Sequence, residues 1–148
     1  MDLATELEGR RFGPSTWRAV SQEQIDAFAA MTGDHNWLHV DVQRARREGP
    51  YGETIAHGNL TLSLVDGFRD ELLSLSQYPL GVNYGYDRVR WPAPVRAGSR
   101  VRATVEITAV DPLDGGWFAV VQRFVVECEG QAKPACVADS LIRVKPAG

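Results

Sequence analysis

Residues 32–39 read Thr-Gly-Asp-His-Asn-Trp-Leu-His, placing a carboxylate and an imidazole five positions apart. Asp34 and His39 are the pair with catalytic potential. Brought to one water by a tight loop, such a pair can take a proton and return it near neutral pH. Each residue also suits a local task. Asp34 can make an Asx turn, and His39 can be a hydrogen-bonded loop histidine. Asp34 follows a helix end, where the macrodipole disfavours a carboxylate by ~0.3–1 kcal/mol. Asn36, between the two, is a candidate supporting residue that pins the loop by side-chain to backbone bonds.

The other histidines are His35 and His57, so all three lie between Gly33 and Gly58. In Ala56-His57-Gly58-Asn59, the glycine permits close approach of a ligand to the backbone. The first N–H groups of a helix lack internal partners and sit at its positive end. Gly58 is therefore a candidate donor to an oxygen that becomes negative during reaction, with His57 as a supporting neighbour. The same glycine can equally serve only to make the turn. The histidines also permit a metal reading, with His35 and His39 at i, i+4 and Asp34 and His57 as further ligands. Residues 34–39 look too irregular for that spacing to count, so no metal is expected.

These groups need elements to hold them. Ser21 followed by Gln24 is a capping-box signature. Ile25, Phe28 and Ala29 share one face, and Gly33 is a natural stop, so residues 21–31 read as a helix. Asp41 suits the cap of a short helix carrying Arg44, Arg46 and Arg47, ended by Gly49-Pro50. After Gly58 one long helix is expected, to about Leu75. Leu60, Leu64, Val65, Phe68 and Leu72 keep helical spacing, and Leu62, Leu73 and Leu75 widen the apolar surface. At 1.5 Å per residue it would be about 25 Å long and largely enclosed.

The second half reads as antiparallel strands at 81–91, 99–111, 116–129 and 135–144. Val101, Ala103, Val105 and Ile107 alternate with Arg100, Arg102, Thr104 and Glu106, the period of a sheet with one wet face. Pro112 to Gly116 carries hairpin-turn residues, and Pro92 and Pro94 end the strand before them. A buried helix followed by strands is an α+β pattern. Its economical packing is a curved antiparallel sheet wrapped around the helix.

The 148 residues suit one domain spanning 1–148, with a self-sufficient core. Hydrophobic residues at 44% and charged residues at 24% are ordinary globular values. A net charge of -3 argues against nucleic-acid binding. Residues 1–12 hold no apolar run of a secretory signal, and the stretch around Leu60 to Val65 is too short to span a bilayer. A cytoplasmic setting and no membrane contact are expected. Cys128 and Cys136 then read as small buried hydrophobes on strands.

Thr-Gly-Asp34-His-Asn36-Trp-Leu-His39, followed by Ala56-His57-Gly58, resembles the MaoC-like hydratases, the (R)-specific 2-enoyl-CoA hydratases or hydratase 2. Tyr86-Asp-Arg-Val-Arg-Trp-Pro-Ala-Pro-Val95 is similar to that family's central strand. The likeness runs from about Ser21 to Val144.

The resemblance implies a hot-dog fold and a homodimer with a thioester tunnel near the subunit interface. It implies that Asp34 and His39 bind the attacking water and that the Gly58 N–H holds the thioester oxygen. The implied reaction is reversible syn addition of water to a trans-2-enoyl thioester of coenzyme A or acyl carrier protein, without a cofactor. Trp37 stands where the family has proline, which points to an altered pocket wall or loop, and Asn59 is unusually polar for its place. Arg44, Arg46, Arg47, Arg88 and Arg90 are candidates for carrier phosphates, none assigned. A hot-dog acyl-CoA thioesterase and a non-catalytic acyl-CoA-binding module are the alternatives.

Overall fold

The computed structural model describes residues 2–73 and 78–148. Six antiparallel strands form one sheet: β1 (Arg11–Phe12), β2 (Arg18–Ala19), β3 (Leu80–Arg90), β4 (Arg100–Pro112), β5 (Phe118–Cys128) and β6 (Cys136–Lys145). Their order is β1-β4-β5-β6-β3, with β2 also pairing β4. The four long strands match the expected ones to within two residues at each end; the two-residue strands carried no sequence signal. In β4, Val101, Ala103, Val105 and Ile107 are buried as the alternation requires. A register shift between Ile107 and Ala109 then resets the pattern, so Val110 is buried instead of Ala109. Gly115 and Gly116 close the β4–β5 hairpin with φ of 74° and 79°, a backbone region that glycine enters without steric cost.

The helices are α1 (Leu3–Leu7), α2 (Gln22–Thr32), α3 (Trp37–Val40), α4 (Val42–Glu48), α5 (Gly58–Ser63) and α6 (Val65–Leu73). Ser21 caps α2 through a full capping box with Gln24, and Gly33 ends it in the left-handed conformation. Asp41 caps α4 by accepting from Arg44 N–H.

The expected long helix is corrected to two. The backbone tightens at Leu64, whose N–H bonds the Thr61 carbonyl, an i→i−3 contact. No proline or glycine marks that point, so local sequence gives no warning; Leu75 lies outside the described residues. Leu60, Val65 and Phe68 still pack on Val101, Val105, Phe124 and Ala138 in the main core.

The pair of helices is not wholly apolar either. Arg69 is 5% exposed, yet its guanidinium is held by Gln122 Oε1 (2.6 Å), Ser140 Oγ (2.6 Å) and Asp66 Oδ1 (2.6 Å). A buried cation persists only when paired and hydrogen-bonded, and that condition is met here.

Cys128 and Cys136 are free and buried. Burial pushes the Cys136 thiol up to about 11, so the thiolate is scarce at neutral pH. Native protein at pH 7.5 should therefore react with iodoacetamide far more slowly than protein unfolded in guanidinium. Equal rates by mass spectrometry would show that Cys136 is accessible.

Candidate active site

The loop after α2 folds by a chain of local bonds. Thr32 Oγ donates to the Phe28 carbonyl and accepts from Asp34 N–H. Asp34 Oδ1 accepts from Asn36 N–H at 3.3 Å, the Asx turn that Asp favours. Asn36 Oδ1 accepts from Leu38 N–H at 3.0 Å and so caps α3. Residues 37–40 are thus one helical turn, which corrects the expectation of an irregular segment throughout 34–39. Asn36 makes one side-chain to backbone bond, the one to Leu38 N–H.

That turn presents His39 to the interior. Its Nδ1 lies 2.7 Å from the Ile55 carbonyl oxygen. A carbonyl can only accept, so the neutral ring carries its proton on Nδ1 and keeps a lone pair on Nε2. The His39 carbonyl accepts from Gln22 Nε2 (2.8 Å), and Gln22 Oε1 accepts from the buried Thr54 hydroxyl. Gln22 and Thr54 therefore hold the backbone of His39 against α2. Both escaped the sequence reading, because their contact spans 32 positions.

His57 is 3% exposed and precedes α5. It donates from Nε2 to the Asp34 carbonyl at 3.0 Å, and its ring stacks on His39 with centroids 3.9 Å apart. One buried ring thereby touches both members of the Asp34/His39 pair. Its Nδ1 is buried without a hydrogen-bond partner among the described residues.

Asp34, His39, His57 and Gly58 line one cavity of about 310 Å³ together with Phe28, Thr32, Asn59 and Trp91. Asp34 is exposed and His39 half-buried, so the acid stands at the mouth and the imidazole deeper. Trp91 is the wall residue that sequence reasoning passed over; the Trp-Pro at the end of β3 was its only signal. Its indole lies against Gly58, where an added Cβ would stand 2.8 Å from Trp91 Cε2.

Two expectations change. Trp37 does not line this cavity; its ring lies under the Arg44 guanidinium, 4.2 Å from centroid to Cζ. The metal reading also takes another form. His35 stays outside, while donor atoms of Asp34, His39 and His57 all lie within 4.8 Å of one another. The long-range approach of His57 builds that cluster, not the i, i+4 spacing.

Residues 4–123 match the family model described as the MaoC-like domain. The 3-hydroxyacyl-thioester dehydratase Z of Mycobacterium tuberculosis is 46% identical over 142 residues, covering 96% of this chain and 93% of that protein. Among solved structures, the MaoC-like dehydratase from Rhodospirillum rubrum superposes with a TM-score of 0.79 at 21% identity, covering 100% of this chain and 99% of the other. The (R)-hydratase from A. caviae gives 0.70 at 24% identity, covering 95% and 96%. The family model, the sequence relative and the shared architecture agree: this chain belongs to the MaoC-like dehydratase family and has its hot-dog fold.

Proposed function

We propose that this hydro-lyase hydrates trans-2-enoyl thioesters to (R)-3-hydroxyacyl thioesters and catalyses the reverse dehydration, with Asp34 and His39 as its acid/base pair. The observation that carries the reading is the His39 ring geometry. With Nδ1 committed to the Ile55 carbonyl, Nε2 keeps the ring's lone pair, and His39 lines the same cavity as Asp34. The donor atoms of the two lie within 4.8 Å, a span one water bridges with two hydrogen bonds of about 2.8 Å.

In the hydration direction the pair takes a proton from that water as its oxygen bonds to C3. The alkene electrons move toward the thioester oxygen. The Gly58 N–H, at the open start of α5, stabilises the charge there. The pair then returns the proton to C2, on the face from which water came, so addition is syn. His57 supports both groups through its bond to the Asp34 carbonyl and its stack on His39. Asn36 supports the loop between them. Phe28 is shared with an adjoining apolar groove lined by Val20, Ala27, Met31, Leu60 and Leu64, a suitable wall for an acyl chain.

The relative from Mycobacterium tuberculosis is named a 3-hydroxyacyl-thioester dehydratase, which supports the substrate class. No helix among the described residues is long and apolar enough to cross a membrane. The test is loss of enoyl absorbance across a crotonyl-to-dodecenoyl coenzyme A series, with chiral analysis of product. Release of free thiol instead would make the protein a thioesterase. Activity should survive exhaustive dialysis against a chelator; its loss would reassign Asp34, His39 and His57 to a metal ion.

A second part of the proposal is a homodimer through β3. Among the described residues that strand pairs only β6, which leaves its other edge open. Leu80, Val82 and Tyr84 are 50%, 51% and 65% exposed on it. An open apolar edge is a template for pairing, and an antiparallel edge is self-complementary about a two-fold axis. Sedimentation should give twice 16.3 kDa, and Val82→Lys should shift the protein toward monomer. A monomeric parent at assay concentration would reject the dimer.

A further inference from the structure

The far end of β3 carries two arginines with no ion pair. Asp87 and Arg90 are separated by a register shift against β6, so the intervening residues leave the ladder. Arg88 sits in that bulge with φ of 55°, the one non-glycine positive φ among the described residues. A side chain with a Cβ rarely adopts this conformation, and bulges at sheet edges beside functional sites re-aim side chains.

Arg88 is exposed and makes no hydrogen bond or ion pair with any described residue. Among the described residues Arg90 donates only to the neighbouring Val89 carbonyl. The other basic candidates near the cavity are engaged. Arg44 bonds Glu48 at 3.0 Å, Arg46 bonds Glu53 at 3.1 Å, and Arg47 lies 3.6 Å from Glu48. Arg100, Arg102 and Arg123 likewise pair with Glu129, Glu127 and Asp139.

The position of this pair gives it meaning. Trp91 follows Arg90 directly and walls the cavity that holds Asp34, His39 and Gly58. Arg88 is three residues from that wall, at most about 10 Å along the chain even if fully extended. A thioester carrier is a long arm ending in phosphate. A guanidinium fork binds phosphate oxygens in pairs, and an arginine without a carboxylate partner has its donors free to do so.

We propose that Arg88, aided by Arg90, binds phosphate of the phosphopantetheine arm that delivers the acyl thioester past Trp91 to the cavity. The inference rests on the proposed thioester reaction and goes beyond it by separating Arg88 and Arg90 from Arg44, Arg46 and Arg47. The shared chemistry is the phosphate, carried either by coenzyme A or by an acyl carrier protein.

The test compares the parent with Arg88→Gln on three crotonyl thioesters. With crotonyl-coenzyme A, KM should rise about tenfold, as expected for a lost charge-assisted contact, with kcat within about twofold. With crotonyl-N-acetylcysteamine, which has no phosphate, neither constant should change. With the acyl carrier protein thioester, a raised KM means that the arm's own phosphodiester is bound. A rise confined to coenzyme A means that its adenosine-end phosphates are bound instead.

Arg88→Gly relieves the left-handed backbone, so it should fold at least as well and reproduce the KM rise. That separates phosphate binding from damage to β3. An unchanged KM for both phosphate-bearing carriers, or an equal rise with N-acetylcysteamine, overturns the proposal. Calorimetry with free coenzyme A needs no turnover. A parent that binds it and an Arg88→Gln variant that does not would keep the phosphate site even if no hydration were found.

Discussion

Asp34→Asn should slow the proposed enoyl-thioester hydration by about 10²–10⁴-fold, the usual share of general acid/base catalysis, while the melting temperature stays close to the parent's. The separation follows from the geometry. Asp34 is exposed, and among the described residues its side chain makes one hydrogen bond, accepting from Asn36 N–H through Oδ1. Asparagine keeps an oxygen at that place, and it suits an Asx turn as well as aspartate does. The loop, the cap on α3 and the bond from His57 to the residue 34 carbonyl all persist. What disappears is the charge and the ability to hold a proton. Steady-state kinetics should show the loss mainly in kcat, because the apolar groove and carrier contacts are untouched. A variant with near-parental kcat would remove Asp34 from the mechanism, and an unfolded variant would mean the turn needs the charge.

Gly58→Val is the second large effect, about 10²–10³-fold in kcat, the range for disabling one oxyanion donor. Glycine is not needed here for a left-handed backbone. It is needed for space: an added Cβ would meet Trp91 Cε2 at 2.8 Å and Cδ2 at 2.9 Å. These are fused-ring atoms, so the whole indole must move. Either it swings into the cavity or the start of α5 shifts, and in both cases the N–H no longer aims at the thioester oxygen. Trp91 is 44% exposed, so the chain tolerates its displacement better than it would a core clash. The steric account has its own check, since Gly58→Val should recover activity in a Trp91→Ala background. Unimpaired turnover in the single variant would place the thioester oxygen elsewhere.

Both variants act at a site assembled over very different distances in sequence, and that difference explains what could be read in advance. The period of two in Val101 to Ile107 reports a strand with one buried face, because side-chain direction alternates with every residue. The capping box at Ser21 and the glycine stop at Gly33 are contacts over three or four positions, equally open to inspection. The motif from Asp34 to His39 was legible for the same reason: its residues are neighbours in the chain, and its turn is closed by their own side chains.

Three-dimensional packing settled the remainder. The break at Leu64 has no local cause, since leucine favours helix and neither proline nor glycine stands there. Arg69 reads as a surface charge until Gln122 and Ser140, 53 and 71 positions away, supply its partners. The tautomer of His39 depends on a carbonyl 16 residues on, and the stack of His57 on His39 depends on how α5 enters the sheet. Trp91 becomes a cavity wall only when β3 has crossed over to its place beside β6. Short-range order follows from sterics and hydrogen bonds within a few residues, which composition and spacing expose. Which distant groups meet is decided by burial of the whole apolar surface at once, and no single segment encodes that.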